Sequence, residues 1–290
     1  MNQIVRKAYA KINLGLDVIR RKENGYHEVA MIMQTVSIYD TLTFEKGKTA
    51  GISITVDKQE LPTDKNNLIY KAADLLCERY QLQEGIHISL QKNIPIAAGM
   101  AGGSTDAAAV FHGMNELFDL KMSMEDMQKL GVKIGADVPY CIQAGTALAE
   151  GIGEILTKLP AMPTCYLVIA KPDISVSTRY VYENLHANSL KEHPDIPGMT
   201  QAVRTGDLDG VIARMENVLE TVTIKEYPII SQIKEFMLVH QADGALMSGS
   251  GPTVFGLFDN IDDAKTAAAA VRKSGLARQV FVTDVYNNRR

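Results

Sequence analysis

Hydrophobic and polar residues alternate in two short segments of the first half of the chain, Ile52–Val56 and Ile86–Leu90. This period of two predicts half-buried β-strands. Apolar residues recur at helical spacing in Leu68–Tyr80 and Thr105–Phe118, which predicts two amphipathic helices. The mixture indicates an α+β fold, with mainly antiparallel sheets and helices packed on them.

The prolines in Leu159–Pro163 interrupt the pattern, and an apolar strand restarts after them. We therefore predict a domain boundary here, with an N-terminal domain over residues 1–160 and a C-terminal domain over residues 161–290. The elements predicted for the second domain are strands at Tyr166–Ala170, Val254–Phe258 and Val280–Val285, and helical stretches at Thr200–Leu219, Ile229–Val239 and Asp262–Lys273.

Composition narrows the class of protein. The 290 residues are 46% hydrophobic, yet no stretch reaches the roughly 18 apolar residues that a membrane span needs. The net charge of −4 gives no electrostatic reason to bind nucleic acid. Cys77, Cys141 and Cys165 are widely spaced in apolar surroundings, which is typical of reduced core cysteines. We expect a cytoplasmic protein without membrane or nucleic-acid partners.

The strongest local signal is the glycine-rich segment Pro95–Asp106, which leads directly into a predicted helix. Gly99, Gly102 and Gly103 would let the backbone approach a polyphosphate, while the N–H groups of the helix N-terminus face the anion. The alternative is an ordinary glycine turn before a helix that is capped by Ser104-Thr105-Asp106.

Two familiar nucleotide-binding loops do not fit this chain. Gly47-Lys48-Thr49 has Leu42 in place of the first glycine of a P-loop. The segment Pro95–Asp106 follows an alternating strand and a turn, which is not the setting of a dinucleotide-binding loop.

Two polar positions could carry chemistry. Lys11 and Asn13 share one face of a predicted strand, where they could hold a ligand or simply contact solvent. Asp137 is an isolated acid within Gly135–Tyr140. It could cap a helix or turn, which is the commoner case, or transfer a proton.

Two further loops are candidate binding elements. Ser248–Thr253 could be a strand-entry turn, or it could pack closely against another loop or a phosphate. Asn24-Gly25 predicts a hairpin turn, and the following Tyr26 and His27 could be packed or could contact a planar ligand.

The order of these motifs along the chain resembles that of the GHMP kinases. The motifs are Ala10–Leu14, Gly25–His27, Pro95–Asp106, Gly135–Pro139 and Gly249–Thr253. Within the family, the Gly-Tyr-His motif and the Lys171-Pro172 and Ser177-Thr178 pairs are similar to those of the members whose acceptor is a cytidine diphosphate-linked methylerythritol.

The resemblance implies a two-domain kinase with its active site in the cleft between the domains, acting as a monomer or homodimer. It would use ATP and Mg²⁺ to phosphorylate the 2-hydroxyl of that acceptor in the non-mevalonate isoprenoid pathway. Lys11 and Asp137 would be the catalytic pair, and Ser104 would lie near Mg²⁺. Asn13, Tyr26, His27, Thr178 and Tyr182 would bind the acceptor, and Gly249, Ser250 and Gly251 would support the phosphate-binding segment. The implied ATP-binding residues are Pro95, Ile96, Ala97, Ala98, Gly99, Met100, Ala101, Gly102, Gly103, Ser104 and Thr105.

Ala97, Ala98 and Ala101 stand where family members commonly have more glycine, so these positions must be ones where alanine is tolerated. Two alternative functions stay open. One is another GHMP kinase, of the mevalonate or homoserine type, although an acceptor without a base gives the Gly-Tyr-His motif no purpose. The other is a nucleotide-binding sensor without catalysis, against which the presence of both Lys11 and Asp137 argues.

Overall fold

The structure is a computed structural model that describes residues 2–287 of the chain. The chain divides into two compact units that interleave along the sequence. The first unit contains the chain up to Ala10 together with Ile38–Ile94 and Ala101–Gln143. The second contains Lys11–Ser37, Pro95–Met100 and the chain from Ala144 onward.

The strands are β1 (Gln3–Arg21), β2 (His27–Gly47), β3 (Ile52–Val56), β4 (Gly85–Gln91), β5 (Thr146–Gly151), β6 (Ile155–Lys158), β7 (Tyr166–Lys171), β8 (Gly244–Met247), β9 (Val254–Phe258) and β10 (Gln279–Asp284). The helices are α1 (Leu68–Tyr80), α2 (Gly102–Leu117), α3 (Met124–Gly131), α4 (Val138–Gln143), α5 (Thr178–Asn184), α6 (Ile196–Thr205), α7 (Leu208–Ile212), α8 (Glu220–Glu226), α9 (Ile229–Val239) and α10 (Ile261–Ser274), with a 3-10 turn at Ala187–Ser189.

In the first unit, the C-terminal half of β2 pairs antiparallel with β4, and β4 pairs in parallel with the edge strand β3. Helix α1 packs on α2, and α2 in turn packs on α3 and α4. The core is formed by alternate residues of the strands, such as Phe44 and Ile88, and by the apolar faces of the helices, including Leu76 and Phe111.

In the second unit, the N-terminal half of β2 pairs antiparallel with β5, which pairs with β6. A separate four-stranded antiparallel sheet has the order β10-β7-β9-β8, and α9 and α10 pack on it. Strand β9 lies between β7 and β8 and is buried along its whole length, which accounts for its lack of polar residues.

The predicted α+β class, with mainly antiparallel sheets and helices packed on them, is confirmed. Helices α1 and α9 and strands β3 and β9 have the predicted bounds. The single helical stretch predicted over Thr200–Leu219 is wrong. Gly206 adopts a left-handed conformation (φ 69°) and ends α6, and a short α7 follows.

The predicted boundary after residue 160 falls inside the second compact unit, because β1 and β2 each run through both units. A linear cut therefore does not describe how the chain clusters in space. The assignment of ATP binding to residues 1–160 and acceptor binding to residues 161–290 stays a prediction. Within residues 2–287, no helix is long and apolar enough to cross a membrane.

Candidate active site

The glycine-rich segment has an unusual backbone. Ala97, Gly99 and Ala101 all have positive φ angles, of 51°, 70° and 56°. A left-handed conformation costs a residue with a Cβ about 1–2 kcal/mol, so the segment is held in a strained shape at both alanines. Alanine is thus accommodated at these two sites, but in the region of φ that favours glycine.

Helix α2 begins at Gly102, earlier than the predicted Thr105, and its N-cap is Ala101. The predicted Ser-Thr-Asp cap is wrong, because Ala101 has no side chain that could bond the first N–H groups. Gly102 and Gly103 lie in the helix, and the positive φ angles precede them. The first turn of α2 therefore presents backbone N–H groups without a side-chain cap, which suits an anion.

Two polar side chains of the first turn of α2 face neighbouring parts of the first unit. Thr105 donates its hydroxyl to the carbonyl of Tyr9 at 2.7 Å. Ser104 lies close to the loop before α4, since a Cβ built on Gly135 would be 4.0 Å from its Oγ. Asp137, in that same loop, directly precedes α4, and its carbonyl accepts the N–H of Cys141. The first unit thus brings Ser104 close to the loop that carries Asp137.

A buried cluster of three charged side chains lies behind the start of α2. Lys92 Nζ bonds to Asp40 at 2.5 Å and to Asp106 at 2.6 Å, and all three residues are buried. The other oxygen of Asp40 accepts the N–H groups of Asn93 and Ile94. A Cβ on Gly102 would be 3.0 Å from Lys92 Nζ, so the ammonium group lies directly behind the helix N-terminus.

The charges of this cluster do not balance when both carboxylates are ionised. Burial raises the pKa of Asp106 well above its usual range, because desolvation outweighs the attraction of the Lys92 ammonium and the Asp40 carboxylate adds to it. The two carboxylates raise the pKa of Lys92 despite its burial. A proton on Asp106 leaves the triad neutral. The sequence analysis missed this cluster, although a lone Asp40 within an apolar run and a lysine just before the glycine segment are visible signals.

The second glycine loop packs directly on the first. Ser248 Oγ donates to the carbonyl of Gly99 at 2.9 Å, and a Cβ on Gly99 would come 2.2 Å from the carbonyl oxygen of Ser248. Gly249 faces the same segment at a less severe distance, since its Cβ would be 3.2 Å from Gly99 O. The structure thus brings Gly249–Gly251 against the segment predicted to bind phosphate. The support role of these residues stays a prediction.

Lys11 and Asn13 are neighbours on β1, and both are buried, which rules out a solvated strand face. Lys11 Nζ donates to Asn13 Oδ1 at 2.7 Å, and Asn13 Nδ2 contacts the sulfur of Met31. The N–H of Lys11 donates to the carbonyl of Met100, so the strand is joined to the end of the glycine segment. The pairing of Lys11 with Asp137 stays a prediction.

The predicted acceptor residues occupy two places in the second unit. His27 packs against Tyr182, with ring centroids 5.1 Å apart, while Tyr26 lies in the hairpin turn and is 59% exposed. His27 Nε2 is buried and has no hydrogen-bond partner among the described residues. Burial, reinforced by the charge of Arg21, lowers the pKa of His27, which favours the neutral imidazole. Thr178 shares a hydrogen bond of 2.8 Å with Ser250, so it adjoins the second glycine loop.

The contact between the glycine loops gives the first prediction. Gly99→Ala places a Cβ only 2.2 Å from Ser248 O, well inside the van der Waals contact distance, whereas Gly206→Ala, at nearly the same φ, meets nothing within 4 Å. We expect Gly99→Ala to lower the free energy of unfolding by about 1–3 kcal/mol more than Gly206→Ala, measured by urea denaturation. Equal losses in the two variants would show that the loops do not constrain each other.

The raised pKa of Asp106 gives a prediction on pH. Above the usual carboxyl value of 3.8, the unfolded chain loses this proton while the folded chain retains it, so stability falls as pH rises toward the folded-state pKa. Asp106→Asn removes this slope, which is at most about 1.4 kcal/mol per pH unit. Urea denaturation between pH 5 and pH 8, with exposed Asp262→Asn as the control, measures it. A pH-independent difference between the parent protein and Asp106→Asn contradicts the proton on Asp106.

Comparison with known proteins assigns this arrangement to a family. Residues 67–145 match the GHMP kinases N terminal domain, and residues 199–276 match the GHMP kinases C terminal domain. A protein of Lachnoclostridium phytofermentans named 4-diphosphocytidyl-2-C-methyl-D-erythritol kinase is 51% identical over 289 residues, covering 100% of this chain and 99% of the relative. The Clostridium perfringens protein of that name is 49% identical over 97% of this chain and 98% of its own length.

Solved structures agree with the sequence matches. A crystal structure of 4-(cytidine 5'-diphospho)-2C-methyl-D-erythritol kinase superposes with a TM-score of 0.82 at 31% identity, covering 97% of this chain and 99% of that one. Homoserine kinase from Cytophaga hutchinsonii shares the fold, with a TM-score of 0.78 at 22% identity over 99% and 94% of the two chains. This chain therefore belongs to the GHMP kinases, and within them to the family of 4-diphosphocytidyl-2-C-methyl-D-erythritol kinases.

Proposed function

We propose that this chain transfers the γ-phosphoryl group of ATP to the 2-hydroxyl of 4-diphosphocytidyl-2-C-methyl-D-erythritol, a step of the non-mevalonate isoprenoid pathway that would take place in the cytoplasm. The names of the relatives support this acceptor. The observation on this chain that carries the proposal is the buried, unpaired Nε2 of His27 beside the ring of Tyr182. A neutral imidazole with an unused ring nitrogen suits the polar edge of a cytosine.

The backbone around Ala101 fits the triphosphate of ATP. The uncapped N–H groups of α2 supply donors, and the helix N-terminus supplies partial positive charge. Backbone donors of this kind would stabilise the charge that phosphoryl transfer spreads over the phosphate oxygens.

Mg²⁺ would be held mainly by phosphate oxygens. Within residues 2–287, no group of three or more His, Cys, Asp or Glu side chains could hold a metal ion. Ser104 is the protein ligand that we propose, because its hydroxyl lies on the first turn of α2. When bound, the ion would neutralise charge on the phosphates.

The acceptor hydroxyl requires a base and a positive charge. Asp137 would accept its proton, because a carboxylate in a short loop before α4 can reach a substrate. Lys11 would attract the developing negative charge, and Asn13 fixes its ammonium group at 2.7 Å. Both are the roles that the motif match implies.

A panel of alcohols assayed with ATP tests the proposed function. The expected result is phosphorylation of the cytidylylated acceptor, with mevalonate and homoserine turned over far more slowly. Turnover of mevalonate or homoserine instead would show that the chain is a GHMP kinase with a different acceptor. ATP binding without turnover of any acceptor would favour the alternative of a nucleotide-binding sensor without catalysis.

Asp137→Asn is expected to lower kcat by about 10²–10⁴-fold, because the amide cannot accept the proton. Lys11→Ala should also lower kcat, since it removes the buried ammonium group beside Asn13. Steady-state kinetics measures both variants, with exposed Asp119→Asn as the control. Parent-like turnover by folded Asp137→Asn would leave this residue with a capping role.

The aromatic residues give a prediction on acceptor affinity. Tyr26→Ala and Tyr182→Ala each remove a face on which cytosine could stack, a contact worth about 1–3 kcal/mol per base in other systems. We expect the KM for the acceptor to rise accordingly, with little change in ATP affinity. Tyr180→Ala is the matched control, because Tyr180 lies on the same helix and contacts Glu226. An unchanged acceptor KM in both variants would remove the physical basis for the cytosine site.

A further inference from the structure

Asn217 is a buried amide that none of the recognised motifs contains. It lies between α7 and α8 and is 3% exposed. The residues on either side of it bind the backbone of Leu16 in β1, since Leu16 N donates to Glu216 O at 2.9 Å and Val218 N donates to Leu16 O at 3.0 Å. Asn217 is therefore anchored to the strand that carries Lys11 and Asn13.

The side chain of Asn217 uses both of its donors on one loop. Nδ2 donates to the carbonyls of Met247 and Gly249, each at 2.8 Å. Oδ1 accepts the N–H of Leu219 at 3.0 Å, which fixes the amide in this orientation. The N–H of Met247 donates to Glu220 Oε1 at 2.8 Å, so the same short segment holds this backbone through two side chains.

The carbonyls that Asn217 binds begin the second glycine loop. Gly249 is buried, and without Asn217 its carbonyl would lose this donor in an environment that water does not reach. Gly249 has a φ of 57° and faces Gly99 O, and the adjacent Ser248 bonds that same carbonyl. A shift of Gly249 would therefore move Gly99 in the phosphate-binding segment.

We propose that Asn217 is a positioning residue for phosphoryl transfer, which holds the second glycine loop against Gly99 so that the phosphate-binding backbone keeps its shape. The proposal rests on the proposed kinase activity. The effect of Asn217 passes through the carbonyls of Met247 and Gly249, which its amide binds. Only asparagine and glutamine carry an amide NH₂ group with two coplanar N–H donors, and the glutamine side chain is one methylene too long for this position.

Asn217→Asp is the sharpest test, because it keeps the size and one acceptor oxygen but replaces both donors by an acceptor that faces two carbonyls. We expect the Kd for ATP, measured by calorimetry, and the KM for ATP to rise about tenfold or more, since displacing a binding group by about 1 Å costs up to 10²-fold. The acceptor KM should stay within about twofold of the parent value.

Asn115→Ala is the matched control. Asn115 also uses its amide to bind backbone, through Met122 N and Met122 O, but it lies at the C-terminal end of α2. A general loss of stability would affect ATP binding alike in both variants, whereas the proposal requires parent-like ATP affinity in Asn115→Ala only. Equal ATP affinities in the parent protein, Asn217→Asp and Asn115→Ala overturn the proposal.

If Asn217→Asp does not fold, Asn217→Ser replaces it in the test, because serine keeps a single hydroxyl donor. The proposal then expects a weakened ATP affinity, and a parent-like Kd overturns it. Calorimetry with ATP alone separates this inference from the proposed function. A parent protein that binds ATP but phosphorylates none of the acceptors would contradict the function, while the comparison between Asn217 and Asn115 variants would still decide the positioning role.

Discussion

The arrangement of the candidate site depends on the close approach of two glycine loops that are distant in sequence. Gly99 and Gly249 face each other with no room for a Cβ on Gly99, and the hydroxyl of Ser248 bonds the Gly99 carbonyl. Because interiors are close-packed, such a contact transmits any displacement of one loop to the other. Strand β1 is also connected to the first glycine loop, since the N–H of Lys11 donates to the Met100 carbonyl. The segment that we propose for the phosphates is therefore fixed by the fold before ATP arrives, which lowers the ordering cost of binding.

The fold also stores unfavourable features around this segment. Ala97 and Ala101 have left-handed backbone conformations, and the charged triad of Lys92, Asp40 and Asp106 is removed from water. Each of these costs stability, and they persist because the surrounding contacts over-determine the shape. The ammonium group of Lys92 contacts Asp40 and Asp106 and lies behind Gly102, so it ties β2 and α2 together rather than reaching a ligand. Strain and buried charge thus accompany the place where the backbone must present its N–H groups.

The sequence predicts the regular elements well wherever periodicity and burial agree, as in α1, α9, β3 and β9. It fails at the start of α2, because Ser104-Thr105-Asp106 has the composition of a cap, and only the backbone shows that Ala101 precedes the helix in a left-handed conformation. It also fails over Thr200–Leu219, where apolar spacing continues across the glycine that ends α6. Asn217 was not predictable, since its partners are far from it in sequence and an asparagine alone is commonplace. For Lys92 and Asp40 the sequence shows the isolated charges, but not that they pair.

The two ends of the proposed reaction rely on different physical resources. The proposed ATP end would depend on backbone conformation, at positions such as Gly99 and Ala101 whose side chains contribute little or nothing. The proposed acceptor end would depend on side chains, namely His27 packed on Tyr182 and an exposed Tyr26 in a hairpin turn. Side chains on a turn and a short helix can be exchanged without disturbing the core, whereas the glycine loops cannot. A homoserine kinase of 22% identity shares this fold, and in our proposal the choice of acceptor depends on a few side chains such as those of His27 and Tyr182.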